Sequence, residues 1–231
     1  MDIFSVEDTI ALLFFVAGWT AYTWLLESSR FRSQTIAAVM GQYRAKWMRV
    51  MAAREIRMLD SQLQASLMQG VGFLASTAVL MVGVLTAMLG FSDSAFDMAS
   101  HLPDFMVVAT ANWKLKILLV SLVFIFAFFK LLWCYRLFNY CAILIGATGE
   151  IEDEDTRRHV ARISAIHIQA GDHFNAGLRA FYFAIAAMAW LLHPYLLVLM
   201  TSLVLIVLWR RDFASRSLAI LRGDWDDKMS K

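Results

Sequence analysis

The sequence predicts an all-α fold, a polytopic membrane helical bundle of about five transmembrane helices with one cytoplasmic amphipathic helix. Three observations predict it. The 231-residue chain is 60% hydrophobic and 17% charged, against roughly 45–50% and about 25% in soluble domains. Its apolar residues gather into runs of membrane-spanning length. Its Lys and Arg residues collect in alternate connecting segments, so the net charge of +2 says less than its distribution.

The opening stretch MDIFSVED holds Asp2, Glu7 and Asp8 and no basic residue, unlike the n-region of a cleaved signal peptide. Residues 9–26 form a first uncharged span, 67–91 a second and 115–135 a third, the last carrying Lys116 near its start and Lys130 near its end. The final apolar run, 180–209, is ~45 Å long as one helix, too long for a hydrocarbon core of ~30 Å. Pro194 lies at its midpoint and disfavours helix in the residue before it. His193-Pro194 therefore reads as a tight hairpin between spans at 175–192 and 195–212. The whole chain, 1–231, reads as one integral-membrane domain.

Charge decides between four and five spans. Residues 28–65 hold seven Lys/Arg, 92–113 none, 147–178 three and 210–231 six. Five spans put every basic segment on one side. The positive-inside rule then places the N-terminus outside and the C-terminus in the cytoplasm, in a cell inner (plasma) membrane. Trp113 and Trp190 fall near the outer face, and Trp24, Trp133 and Trp209 near the inner one.

Within 33–60, Ile36, Met40, Tyr43, Trp47 and Met51 recur at helical steps, with Arg44, Lys46, Arg49, Arg54 and Arg57 mostly off that line. This predicts a cytoplasmic amphipathic helix, either lying on an anionic leaflet or packed on its own protein. Arg57 and Asp60 are spaced to pair. In the second span, Gly72, Ser76, Val79, Gly83, Thr86 and Gly90 repeat at steps of four and three, a mostly small-residue seam that predicts close helix packing in the same chain or in a homo-oligomer.

Lys130 lies ~22 Å from Leu115 along a helix, ~8 Å short of the inner boundary. Three readings stay open: it snorkels inward, it pairs with Asp60 or Glu27, or it lines a wet cavity that attracts anions. The surrounding aromatics offer it cation–π contact. Arg136 falls at the boundary, and Asn139 is spaced to share its polar face.

Several functions find no support. GxSxG, HExxH and P-loop motifs are absent, so no catalytic residue is expected. His159, His167, Asp172 and His173 match no ligand spacing, and Cys134 and Cys141 sit ~10.5 Å apart on one helix, so no metal, haem or disulfide is expected and no cofactor is implied. Nothing resembles a nucleic-acid recognition module. The expected partners are the lipid bilayer, anionic lipid and further copies of the chain.

RAKWMRVMAAREIRMLD, FLASTAVLMVG and FKLLWCYRLFNYCAILIGA resemble a family of multi-pass membrane proteins of bacteria and plants, known by the label domain of unknown function 599. The matching positions are Arg44, Trp47, Met51, Arg54, Asp60, Ser76, Thr77, Lys130, Trp133, Arg136, Asn139 and Tyr140. The likeness covers nearly the whole chain, including AWLLHPYLL, where His193 replaces a glycine common before that proline. It implies a membrane protein and carries no activity. On the residues alone, an oligomeric small-ion channel or transporter, with anions as its cargo, leads over a structural scaffold that binds lipid or a partner complex.

Overall fold

The structure, a computed structural model, describes residues 5–27, 29–99, 110–149 and 154–223. The side chains of 27, 29, 30, 91–99, 110 and 111 lie outside the described set, as does most of the acidic segment expected at 92–113. Among the described residues every regular element is helical: α1 Val6–Glu27, α2 Ser29–Arg32, α3 Ile36–Ala52, α4 Met58–Ala99, α5 Thr110–Gly146, α6 Glu154–Met188, α7 Pro194–Phe213 and α8 Arg216–Arg222. Four helices are long and apolar enough to cross a membrane: those at Val6–Leu26, Met58–Gly90, Asn112–Gly146 and Glu154–Leu191. Their outward faces, with Phe73, Leu80, Leu118 and Phe129 exposed, form an apolar surface that suits lipid and not water.

Local chemistry sets the ends. Ser5 caps α1, its hydroxyl accepting from the Asp8 amide and donating to the Asp8 carboxylate, both at 3.0 Å. Thr35 caps α3 and Ser215 caps α8. The predicted hairpin forms through a short 3-10 turn at Ala189–Leu191. His193, extended at φ −161°, then caps α7, its Nδ1 accepting from the Tyr195 amide at 3.3 Å. Pro194 occupies the first helical position, where its missing N–H costs nothing. A glycine there would lack the ring that makes this cap.

Two expectations are corrected. The helix predicted at 175–192 is the last part of α6, which begins at Glu154. It extends back to Glu154 because Val160, Ile163, His167 and Ala170 keep a buried face at helical spacing. The helix predicted at 33–60 ends at Ala52, and α4 restarts at Met58. Its buried face is Gly41, Met48, Met51 and Ala52, packed on α6, while Met40 and Tyr43 stay exposed. The small-residue seam faces outward, so of its two expected uses the structure does not fill the one within the chain. The residues of α4 that pack inside the chain are Val71, Ala75, Ala78 and Leu85. Gly72 meets Tyr135 at 3.8 Å, whereas Gly83 and Gly90 have open space beside them.

The long helices alternate in direction, which polar contacts at both ends report. At the hairpin end, Asp8 of α1 accepts from Trp190 Nε1 at 2.8 Å and pairs with Lys116 of α5 at 2.6 Å. At the opposite end, which carries α3, Tyr22 of α1 donates to Asp212 of α7 at 2.8 Å. α4, α5 and α6 pack closely side by side, and α7 packs on α6 and on α1. At 42, 37 and 35 residues, α4, α5 and α6 exceed the ~20 residues a span needs. At the α3 end Met48, Met51, Ile145, Val160 and Ile163 build a separate small core.

Candidate functional site

Lys130 faces a cavity of about 710 Å³ at the α3 end, bounded by the end of α1, by α2, α3 and α6, and by Asp212 of α7. Gly177 makes the α5–α6 wall possible. A Cβ there would lie 2.8 Å from Leu131 Cγ and 3.3 Å from the Leu131 backbone nitrogen, so only glycine admits this approach. Leu131 follows Lys130, and the tight contact therefore sets where α5 presents its ammonium.

The cavity's charges are unevenly satisfied. Arg32 and Asp172 pair at 2.6 Å. Asp212 is held by Tyr22 and by Arg211 Nε at 3.2 Å. Lys130 Nζ lies 5.4 Å from the centroid of Phe126, a cation–π contact. Among the described residues no carboxylate pairs with it. Farther toward the hairpin end, Trp19 stacks on Phe183 at 5.5 Å and meets Phe126 edge-on at 5.4 Å.

The other residues singled out in the sequence divide among separate places. Asp60 is buried away from Lys130, and its Oδ1 accepts from Arg54 Nη1 and Trp47 Nε1, each at 2.7 Å. Arg57, spaced to pair with Asp60, instead donates to the carbonyls of Thr148, Gly149 and Ala52. The Glu27 side chain lies outside the described set. Arg136 sits on the outer surface of α5, donating to the Tyr140 hydroxyl at 2.9 Å and lying over the rings of Trp133 and Tyr140. Asn139 is exposed beside it.

Sequence reasoning missed three buried groupings. Lys116–Asp8 is the most enclosed ion pair among the described residues, with side chains 4% and 7% exposed. Arg44, read as a surface cation, turns inward to His167 Nδ1 at 3.0 Å and lies against Gly171, where a Cβ would come within 3.0 Å of its guanidinium. Burial lowers the Arg44 pKa, but an arginine in protein stays protonated and donates. His167 Nδ1 must then accept, leaving the ring hydrogen on Nε2. That atom, Asp60 Oδ2 and Gln64 Oε1 are buried without a protein partner. The third grouping is Tyr22–Asp212. Opposite charges at matching depth on α1 and α5 were a usable signal for Asp8–Lys116; no comparable signal marked Arg44.

Among the described residues no three metal-ligating side chains converge, because His167 is turned onto Arg44 while Asp172 and His173 face the cavity. A family model described as Protein of unknown function, DUF599, matches residues 10–217. No curated protein and no solved structure matches the chain.

Proposed function

The chain belongs to this uncharacterised family, and from the site alone we propose that it is an inner-membrane protein that binds and moves small anions. The observation that carries this is Lys130, an ammonium that no carboxylate among the described residues pairs with, facing a cavity of about 710 Å³. A cation held partly out of water and left uncompensated favours an anion there. An aromatic layer of Trp19, Phe126 and Phe183 lies between the level of Lys130 and the hairpin end. That supports a gated transporter or channel over a permanently open pore.

Five spans serve this reading, with α7 as the fifth. α7 is 20 residues long, and it exposes Leu199, Leu203 and Ile206 as the other spans expose their apolar residues. With α3 in the cytoplasm, the N-terminus lies outside and the cavity opens inward.

The test is anion flux from proteoliposomes with chloride or phosphate as cargo. Lys130→Met is expected to lower the rate ~10-fold or more, the worth of one charge-assisted contact, while Lys130→Arg keeps most of it. A wild-type protein that moves neither anion would leave the alternative reading, a membrane scaffold binding lipid or a partner complex.

The outward seam of Gly72, Ser76, Gly83, Thr86 and Gly90 supports association of copies through α4, since small residues allow close backbone approach in lipid. Gly83→Leu is expected to shift the protein toward monomer in nanodisc mass photometry, with an unchanged unfolding temperature. An unchanged oligomer distribution would remove α4 from the interface.

A further inference from the structure

Beside the Lys130 cavity lies a second hollow of different chemistry. α1 packs more closely on α7 than on α5, which it meets through Asp8–Lys116 and Trp19–Phe126, and a groove of about 620 Å³ lies between α1 and α5. Leu12, Val16 and Trp19 form one wall, Leu122 and Phe126 the other, and Trp190 part of the floor. The groove is almost wholly hydrocarbon-lined. Thr20, one of its two threonines, spends its hydroxyl on the Val16 carbonyl of its own helix at 2.7 Å. From Leu12 to Trp24 it runs ~18 Å along α1, about the ~15 Å depth of one leaflet's hydrocarbon.

The two hollows lie end to end along α1 and α5. On α1, Trp24 borders the groove and Leu26 the cavity. On α5, Phe126 borders the groove and Lys130, one turn on, the cavity. The Phe126 ring is shared, since it walls the groove and also lies under the Lys130 ammonium at 5.4 Å. An apolar slot of leaflet depth thus points toward a cation that no carboxylate among the described residues pairs with.

We infer that groove and cavity form one site for an anionic phospholipid, with its acyl chain along α1 and α5 and its phosphate at Lys130. This rests on the reading of the cavity as an anion site and names the anion's chemical class. A bilayer lipid of any head group can fill the groove; the charge at its end selects the anionic one. The shared chemistry is a phosphate, which free phosphate also supplies, so the test separates the two sources.

Protein released from nanodiscs of equimolar phosphatidylglycerol and phosphatidylcholine is weighed intact by native mass spectrometry. Inorganic phosphate binding is measured by calorimetry in phosphatidylcholine nanodiscs. Wild type is expected to retain phosphatidylglycerol about fivefold over phosphatidylcholine, the preference that one cation near an anionic surface confers. Lys130→Gln should abolish that preference and weaken phosphate binding. Leu122→Trp and Val16→Trp fill the groove from opposite walls at half-exposed positions, where added bulk displaces lipid and not core. Both should lose the retained lipid and keep wild-type phosphate binding. If either groove variant, folded by its unfolding temperature, keeps the lipid preference, the composite site is overturned while the anion reading stands. If Lys130→Gln binds phosphate and lipid as wild type does, both fail. Wild type that holds the lipid but no free phosphate supports the lipid as sole source; phosphate binding without retained lipid overturns it.

Discussion

Asp8→Ala is expected to destabilise the bundle by about 3–5 kcal/mol, the cost of removing one partner from a buried ion pair. Lys116 Nζ lies 2.6 Å from Asp8 Oδ1, with both side chains nearly sealed. Trp190 Nε1 and the Ser5 hydroxyl complete the carboxylate's partners. Without Asp8, the ammonium keeps, among the described residues, the Trp190 ring, 5.2 Å from its centroid, and the Trp190 N–H loses the Asp8 carboxylate. The pair as a whole is worth far less than its rupture costs, because both charges gave up solvation to form it. Asp8→Ala combined with Lys116→Met should therefore recover most of the loss. Unfolding temperatures of the two single variants and the double in one detergent measure this. A double variant no more stable than Asp8→Ala would mean that Lys116 is satisfied elsewhere.

Gly177→Ala is expected to cost about 1–3 kcal/mol through overpacking. The added methyl would arrive 2.8 Å from Leu131 Cγ and 2.9 Å from its Cδ2, with the α5 backbone 3.3 Å away. A side chain can rotate, but the backbone nitrogen cannot yield without moving the helix. Leu131→Ala removes the nearest atoms, so the double variant should be more stable than the sum of the single effects predicts, a coupling that a double-mutant cycle reads directly. Because Leu131 adjoins Lys130, the same variant should also disturb anion flux. Independent, additive effects would show that α5 and α6 do not press together at this point.

The spans were legible because burial in hydrocarbon demands uncharged runs of a minimum length, a demand written locally in the chain. Neighbour relations were not. The second span carries small residues on two adjoining faces, and small size alone does not tell Ala75 and Ala78 from Ser76 and Gly83. Only the packing reveals that α5 took the alanine face. The extent of α6 was readable in principle, since Val160, Ile163, His167 and Ala170 keep helical spacing; a transmembrane window passes over them because polar residues lie between. Arg44 looked like one more surface cation because its inward turn depends on Gly171, more than 120 positions away. Lys130 was recognised as anomalous from depth alone. Its surroundings were beyond reach, since they are built from α1, α2, α3, α6 and α7 together.

The two polar fastenings of α1 bear on how the molecule is made. Asp8 is held by Trp190, 182 positions later, and Tyr22 by Asp212, 190 positions later. α1 is therefore made long before the partners that fasten its two ends. Until they follow, Asp8 has neither Trp190 nor, before α5, Lys116, and Tyr22 has no Asp212. The fastening of α1 is thus completed only after α4, α5 and α6 have been made.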